Sequence, residues 1–369
     1  MNKVEKHIHE PMFHITKRDD MAWWKAWLVR LIAIVLALIV CALVIVVLTK
    51  YNPIQVYKAM FEGSFGSKRK FWTLLQNLAM LLCISLAVTP AFKMRFWNLG
   101  AEGQVLVGGL AAVACMFYLG DSVPNVVLIL IMLAAGIAGG MLWGLIPAFF
   151  RAHFNTNESL FTLMMNYVAM QLVSFAIMVW VPNGSSVMGI VNQNTKAGWL
   201  PELFGQKYLF NILVVVVLTV IMFVYLRYSK QGYELSVVGE SENTARYIGI
   251  NVKKVIIRTM AISGAICGLS GFLLVSGTNH TISKNLVGGM GFTAIMVSWL
   301  AKFDPVMMVI TSFLIVFLQK GAGEIATAFR LNESVSDILT GIIIFFIIGC
   351  EFFINYKINT RTKHKEAKR

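Results

Sequence analysis

The sequence predicts an all-α integral membrane protein with about ten transmembrane segments, some of them broken. Hydrophobic residue types make up 57% of the 369 residues and charged types only 14%, whereas soluble domains carry about 25% charged residues. The apolar residues also gather into runs of about 20, the length that an α-helix needs to cross a bilayer. These two observations exclude a soluble enzyme, a nucleic-acid-binding domain and a disordered chain.

The predicted elements follow in order along the chain. Residues 1–26 form a polar arm of mixed charge, residues 27–355 the transmembrane domain, and residues 356–369 a basic tail. The candidate segments of the transmembrane domain are 31–48, 71–92, 104–119, 124–150, 158–181, 208–228, 255–277, 286–301, 305–320 and 336–355. Segment 286–301 is expected to be a short or broken helix inside the bundle, because glycines interrupt its start.

The distribution of Lys and Arg predicts the orientation of the chain. With the N-terminus inside and ten alternating spans, the inner segments hold 22 of the 32 cations, as the excess of positive charge on the cytoplasmic side requires. The first outer loop is the one departure, because five cations fall within 49–70. We therefore expect the arm, the tail and the long connection 229–254 to be cytoplasmic.

Paired glycines predict where two helices approach each other most closely. Gly140 and Gly144 lie four residues apart, and so do Gly264 and Gly268. This spacing places two small residues on one face of each helix, which permits close backbone contact.

The first polar motif lies at the head of an apolar run, in the sequence Phe96 to Gln104. Trp97, Asn98, Glu102 and Gln104 are its polar and aromatic members. Such groups are costly in a membrane unless they face a cavity or each other. Two interpretations remain open: Glu102 lies in water at the cytoplasmic interface, or the motif forms a discontinuous helix that lines a translocation pathway.

The second polar motif opens the segment 158–181. Glu158, Thr162 and Asn166 recur at every fourth position and therefore share one helix face, and Asn157 comes directly before them. A polar stripe on a membrane helix lines a pore or bonds to a neighbouring helix, and both alternatives stand. The candidate pathway residues are Trp97, Asn98, Glu102, Gln104, Asn157, Glu158, Thr162 and Asn166.

The inner connection 229–254 predicts a short helix of about five to eight residues, capped by Ser241 or Asn243 and ended by Gly249. Such a helix is unstable alone and needs a packing partner. It is either a solvated loop on the membrane surface or a docking element for a cytoplasmic protein. In the second case small residues allow close seating, and Arg246, Tyr247 and Ile250 anchor the contact. The candidate coupling residues are Gly239, Glu240, Asn243, Ala245, Arg246, Tyr247, Gly249 and Ile250.

No catalytic or cofactor chemistry emerges from the sequence. It lacks both the P-loop pattern GxxxxGK[ST] and the zinc-protease pattern HExxH. The five cysteines each lie in an apolar run without a CxxC pair, which is typical of small buried side chains. We therefore expect no metal, no bound cofactor and no enzyme activity in this chain.

Three blocks of the sequence resemble one family of transport proteins. Residues 96–104, residues 157–167 and residues 239–250 are similar to successive blocks in permease subunits of bacterial ABC importers. The family is the branched-chain amino acid and simple-sugar permease superfamily, and the resemblance is strongest to its nucleoside-type branch. Residues 289–300 depart from the glycine-rich block of that family, which bears on the substrate and not on the permease assignment.

The resemblance implies the translocation subunit of an ATP-driven importer, with a bundle like that of type II importers, in a bacterial cell membrane. It implies a second permease chain, either a copy or a homologue, two cytoplasmic ABC ATPase subunits that use the ATP, and an extracytoplasmic binding lipoprotein. The small-molecule cargo is expected to be a nucleoside, since aromatic and amide side chains suit a base and a ribose. Alternatives are an importer of ribose-like sugars and an ion-coupled transporter, which would favour mid-span carboxylates.

Overall fold

The computed structural model describes residues 13–18, 21–49, 51–181, 188–331 and 333–360. The helices are α1 (Trp23–Thr49), α2 (Pro53–Phe65), α3 (Lys68–Lys93), α4 (Ala101–Leu119), α5 (Asn125–Phe154), α6 (Glu158–Trp180), α7 (Leu209–Tyr228), α8 (Lys230–Glu240), α9 (Glu242–Tyr247), α10 (Val252–Leu274), α11 (Met290–Leu300), α12 (Pro305–Ala328) and α13 (Glu333–Asn355). A π-helix, Val275–Asn279, continues α10, and two strands, β1 (Phe13–Lys17) and β2 (Tyr356–Thr360), lie near the chain ends.

The transmembrane helices confirm the predicted fold class. Nine helices in the described ranges are long and apolar enough to cross a membrane. The tenth predicted segment is α11, which has only 11 residues. This outcome matches the short or broken helix that the glycines predicted. Helix α2 was not predicted, because its residues are too polar for a span and were assigned to the first outer loop.

The described chain divides into two compact units, one of residues up to Gly63 together with Leu318 onward, and one of Ser64–Phe317. In the first unit β1 pairs with β2 in an antiparallel ladder, with Phe13 opposite Thr360. Arg30 of α1 forms a 2.6 Å ion pair with Glu351 of α13. The arm and tail were predicted only as polar segments, so this small sheet is an addition to the all-α prediction.

In the second unit the closest helix contact joins α5 and α10. A Cβ atom on Gly268 would collide with the carbonyl oxygen of Gly136, and one on Gly264 with that of Gly140. The glycines therefore allow backbone-to-backbone contact that a larger residue would prevent. This finding confirms the close packing that the paired glycines predicted.

Two interruptions of helical structure lie next to each other in the second unit. The chain has no helix between Met94 and Gly100, before α4 begins, and none between His280 and Gly289, before α11 begins. Gly291 packs against the backbone of Glu102, so the start of α11 touches the start of α4. The two interruptions together position the polar motif that the sequence singled out.

Candidate functional site

Asn98 and Gln104 organise the irregular backbone that precedes α4. Asn98 Oδ1 accepts hydrogen bonds from the Gly100 amide at 3.0 Å and from Gln104 Nε2 at 3.3 Å. Asn98 Nδ2 donates to Ser263 Oγ of α10 at 3.3 Å. Both amide side chains are buried. Buried polar groups require partners, and here they find them in the unwound segment itself and in α10.

Glu102 caps the N-terminus of α11. Its Oε1 accepts from the Gly289 amide and its Oε2 from the Gly291 amide, both at 2.9 Å. An anion is stabilised at a helix N-terminus by the free amides and by the helix dipole. Glu102 is only 4% exposed, which excludes the solvated interpretation. Residues 96–100 of the motif are unwound and α4 begins at Ala101, and Glu102 anchors the start of α11.

Thr162 and Asn166 share one face of α6, as predicted, and that face contacts the start of α4. Asn166 Oδ1 accepts from the Gly103 amide and its Nδ2 donates to the Leu99 carbonyl, both at 2.8 Å. Thr162 Oγ1 accepts from the Leu99 amide at 3.1 Å and donates to the Glu158 carbonyl at 2.7 Å. In this conformation both side chains serve as contacts between helices.

Asn157 and Glu158 belong to a neighbouring arrangement. Asn157 Oδ1 caps α6 by accepting from the Leu160 amide at 3.1 Å. Glu158 lies 3.4 Å from Arg151 at the end of α5, and Arg151 lies 3.7 Å from Glu242 of α9. Arg151 thus links α6 to the predicted coupling helix. The sequence analysis missed Arg151, although its position seven residues before Glu158 across a helix break offered a signal.

The side chain of Trp97 lies apart from these groups, although its backbone carbonyl accepts a 3.4 Å hydrogen bond from Thr162 Oγ1. It is exposed and stacks on Trp299 of α11, with 5.7 Å between ring centroids. The structure therefore brings together five of the candidate pathway residues, which we call the Glu102 network: Asn98, Glu102, Gln104, Thr162 and Asn166. Their role in a translocation pathway stays a prediction.

The predicted coupling helix is α9, and its ends are those that the sequence indicated. Ser241 Oγ accepts from the Thr244 amide at 3.2 Å at the N-terminus. Gly249 has a φ of +84°, and the Ile250 amide bonds the Ala245 carbonyl at 2.9 Å. This is the glycine-terminated helix end in which only glycine adopts the left-handed conformation without strain.

The side chains of α8 and α9 divide into an exposed and a buried set. Ala245 is fully buried, Ile250 packs against the core, and a Cβ on Gly239 would collide with the Lys93 carbonyl. These three residues therefore seat the segment on the permease itself. Tyr233 of α8 and Thr244 of α9 are exposed, and so are the residues that we call the coupling face: Glu240, Asn243, Arg246, Tyr247, Ile248 and Gly249.

Tyr247 and Ile248 dominate the coupling face. Tyr247 is 93% exposed and Ile248 52% exposed, although aromatic and branched aliphatic side chains gain the most free energy from burial. Ile248 was not singled out from the sequence, because one apolar residue beside a glycine carries no periodic signal. Salt bridges hold the segment in place, such as the 2.9 Å pair between Glu234 of α8 and Arg258 of α10.

The described residues contain no group of three or more His, Cys, Asp or Glu side chains placed to hold a metal ion. All five cysteines are free thiols, four of them buried. The polar chemistry of the described site therefore consists of hydrogen bonds and ion pairs between helices.

Residues 71–348 match the protein family described as branched-chain amino acid transport system / permease component. The match covers most of the chain, including the Glu102 network and the coupling face. The chain belongs to this family of membrane permeases.

Characterised relatives are similar over nearly their whole length. The chain is 32% identical to the guanosine ABC transporter permease protein NupP of Bacillus subtilis, over 87% of this chain and 92% of that protein. It is 27% identical to the nucleoside ABC transporter permease protein NupB of Lactococcus lactis, over 87% and 90%. It is also 27% identical to the glucose ABC transporter permease protein TsgB13 of Haloferax volcanii, over 92% of each.

Proposed function

We propose that this chain is the translocation subunit of an ATP-driven importer of nucleosides. The observation that carries the proposal is the 32% identity to a guanosine permease across 87% of the chain. The ATP is hydrolysed on a separate subunit, because this sequence has no P-loop. The cargo crosses the membrane through the bundle that α3 to α12 build.

The coupling face is the surface on which the ATPase docks. Tyr247 and Ile248 project from a helix that is fixed to the permease by Ala245 and by its neighbours. A rigid base with exposed aromatic and aliphatic anchors suits an interface, where a few buried anchors carry most of the binding free energy. Arg246 pairs with Glu242 at 3.2 Å in this chain and is exposed, so it can also meet an acidic rim.

Movement of α9 reaches the broken helix through a continuous series of contacts. Arg151 contacts Glu242 of α9 and Glu158 at the start of α6. One and two turns further along α6, Thr162 and Asn166 hold the backbone of Leu99 and Gly103. Glu102, between those two residues, holds α11. We infer that docking and ATP-driven motion of α9 shift α11 and thereby open or close the pathway.

The assembled importer contains a second permease chain, two cytoplasmic ABC ATPase subunits and an extracytoplasmic binding lipoprotein. Both termini lie in the cytoplasm in this proposal. The pairing of β1 with β2 supports a common side for the two ends, and the cation distribution favours the inner side. The proposed location is the bacterial cell membrane.

Two alternative functions, a sugar importer and an ion-coupled transporter, differ in how well the observations support them. A sugar importer is supported by the 27% identity to a glucose permease, and it shares the coupling mechanism. An ion-coupled transporter needs a carboxylate that can bind and release an ion. Glu102 is a buried carboxylate of the described bundle, but backbone amides occupy both of its oxygens. We therefore rank ion coupling last.

The coupling proposal is tested with Tyr247→Ala combined with Ile248→Ala in the purified complex. Loss of two interface anchors should weaken ATPase binding by about 30-fold or more, since such anchors contribute about 1 kcal/mol each or more. Phe204→Ala is the matched control, because Phe204 is 94% exposed but lies in the loop before α7. Retention of the ATPase by the double variant would overturn the docking role. Ala245 is unsuitable for this test, because a larger residue would unseat the helix.

The transmission of movement from α9 to α11 is tested in the purified complex, and the identity of the cargo is tested by uptake. Arg151→Met should retain the ATPase but lose stimulation of hydrolysis by the loaded binding protein, because its two ion pairs are broken. Uptake of labelled guanosine by the wild type should be inhibited by unlabelled nucleosides and not by ribose or glucose. Uptake of labelled ribose or glucose, without uptake of labelled guanosine, would replace a nucleoside by a sugar as the cargo and leave the coupling mechanism unchanged.

A further inference from the structure

A cavity of about 260 Å³ lies where three helices of the second unit end. Lys93 at the end of α3, Arg227 at the end of α7 and Lys302 before α12 line it. Asp304 also lines it, and Phe223 and Phe303 contribute aromatic walls. None of the residues that line the cavity belongs to the coupling face or to the Glu102 network, although the backbone of Lys93 also packs against Gly239 of α8.

The charged side chains that line this cavity, three cations and one carboxylate, carry a net positive charge. Lys93 Nζ donates to the Leu226 carbonyl at 3.2 Å, and Arg227 lies over the Phe223 ring at 5.6 Å. Neither these two nor Lys302 forms an ion pair within the described residues. The carboxylate of Asp304 is engaged instead at the start of α12, where it accepts from the amides of residues 306 and 307 at 2.8 and 3.2 Å.

The backbone that presents Lys302 has an unusual conformation. Lys302 and Phe303 have φ values of +51° and +62°, in the left-handed region that side chains other than glycine rarely adopt. Hydrogen bonds hold this turn, from the Lys302 amide to the Trp299 carbonyl and from the Phe303 amide to the Ser298 carbonyl, both at 3.0 Å. Consecutive residues in such a conformation are found at ligand clamps.

The helices α7 and α12, which contribute residues to the cavity lining, also carry exposed apolar side chains. Val224 of α7 and Val306 and Ile310 of α12 are about half exposed. Exposed aliphatic faces on membrane helices contact lipid chains, and the ends of the spans lie at the level of the headgroups. A basic, aromatic cavity at the ends of helices whose exposed side chains are apolar matches the two parts of a phospholipid.

We propose that this cavity binds the phosphate group of an anionic membrane phospholipid. Lys93, Arg227 and Lys302 surround the phosphate, and the acyl chains lie along α7 and α12. Because the three cations come from α3, α7 and the turn before α12, the bound lipid ties these three elements together. The proposal does not depend on which cargo the permease carries.

The test uses native mass spectrometry of the purified full-length chain titrated with phosphatidylglycerol, with phosphatidylcholine of equal acyl chains as the reference lipid. Wild type should prefer phosphatidylglycerol. Each Lys→Gln or Arg→Gln change at positions 93, 227 and 302 should weaken its binding by about fivefold, and the triple variant by roughly 100-fold. The charge-retaining variants Arg227→Lys and Lys302→Arg should bind within about twofold of wild type.

The matched control removes three cations elsewhere on the same side, with Arg246→Gln, Lys253→Gln and Lys254→Gln. It should bind phosphatidylglycerol like the wild type, and equal loss in both triple variants would overturn the proposal in favour of general surface charge. Melting temperatures equal to that of the wild type establish that the variants are folded. If the triple variant does not fold, the three single variants provide the test.

Two further outcomes would also overturn the lipid assignment. Inorganic phosphate, added without lipid, should not raise the melting temperature; protection equal to that by phosphatidylglycerol would indicate a soluble phosphate ligand. Loss of the ATPase from the triple cavity variant with unchanged lipid binding would indicate a protein contact instead.

Discussion

Two polar regions of the second unit differ in whether their side-chain acceptors have hydrogen-bond partners. In the Glu102 network the side chains bond backbone groups that the interrupted helices leave free. The other region, which we call the π-helix cluster, consists of Gln76, Asn211, Ser276 and Thr278. There Gln76 Nε2 donates to Thr278 Oγ1 at 2.6 Å, and Asn211 Nδ2 bonds the Leu273 carbonyl at 3.3 Å.

Two side-chain oxygens of the π-helix cluster have no hydrogen-bond donor among the described residues. Gln76 Oε1 and Asn211 Oδ1 are buried and have no hydrogen-bond partner among the described residues, although most buried polar atoms have one. The π-helix is continuous with α10 and needs no side chain to replace missing backbone bonds, whereas α4 and α11 both begin where the chain is unwound. The side chains of the Glu102 network therefore replace the backbone hydrogen bonds that are missing at the starts of α4 and α11. The π-helix cluster keeps two acceptors without a hydrogen-bond partner among the described residues.

Of the substitutions in the two regions, Glu102→Ala should cause the largest loss of stability. It leaves the Gly289 and Gly291 amides buried and unpaired, and each lost bond to a charged group contributes about 1.5–3 kcal/mol. We expect the free energy of unfolding in detergent to fall by about 3–5 kcal/mol, and uptake to be lost. Glu102→Gln retains acceptor capacity and should lose less.

The matched control is Glu202→Ala, since Glu202 is an exposed carboxylate in a loop. Its free energy of unfolding should stay within about 0.5 kcal/mol of wild type. If Glu102→Ala is no less stable than this control, the carboxylate does not hold α11 and the distinction between the two regions disappears.

The sequence predicted those features that depend on local patterns. Apolar runs predicted the spans, Ser241 and Gly249 predicted the ends of α9, and the spacing of Thr162 and Asn166 predicted their common face. Each of these signals lies within a few residues of the feature it specifies. Helix length, helix caps and helix faces follow from such short-range chemistry.

Features that depend on distant partners were not predicted. Glu102 bonds residues 187 and 189 positions away, and no local pattern indicates which helix N-terminus a buried carboxylate will cap. Ala245 was expected to seat in a partner, but its small side chain fits the interior of this chain instead. The pairing of β1 with β2 likewise joins opposite ends of the sequence, and the alternation in two five-residue strands does not indicate which segment pairs with which.

A pair of identical substitutions compares the two regions directly. Asn166→Leu leaves the Gly103 amide and the Leu99 carbonyl unpaired, and should lower the free energy of unfolding by about 2–4 kcal/mol without preventing membrane insertion. Asn211→Leu removes two long hydrogen bonds together with an acceptor that has no partner, and should cost about 1 kcal/mol or less. Denaturant unfolding of both variants in detergent measures the difference. Equal losses would show that both asparagines brace the backbone.

The smallest expected effect concerns the end of the π-helix, where His280 stacks on Trp199 with 3.7 Å between ring centroids. Burial, and then the positive charge of Lys207, lower the pKa of His280 from 6.5 to about 4. The folded chain therefore keeps this imidazole neutral in a range where the unfolded chain protonates it. Stability from this group is fully present above about pH 6.5 and falls as the pH decreases towards 4.

Thermal unfolding of wild type and His280→Phe at about pH 7 and about pH 5 isolates this contribution. The other titrating groups act equally in both proteins, so they cancel in the comparison. Because His280 is only partly buried, we expect wild type to lose about 1 kcal/mol more than the variant over this interval. Phenylalanine retains a flat ring against Trp199, so the variant separates titration from stacking. An equal loss in both proteins would show that His280 titrates alike in the folded and unfolded chain, and that the end of the π-helix is open to water.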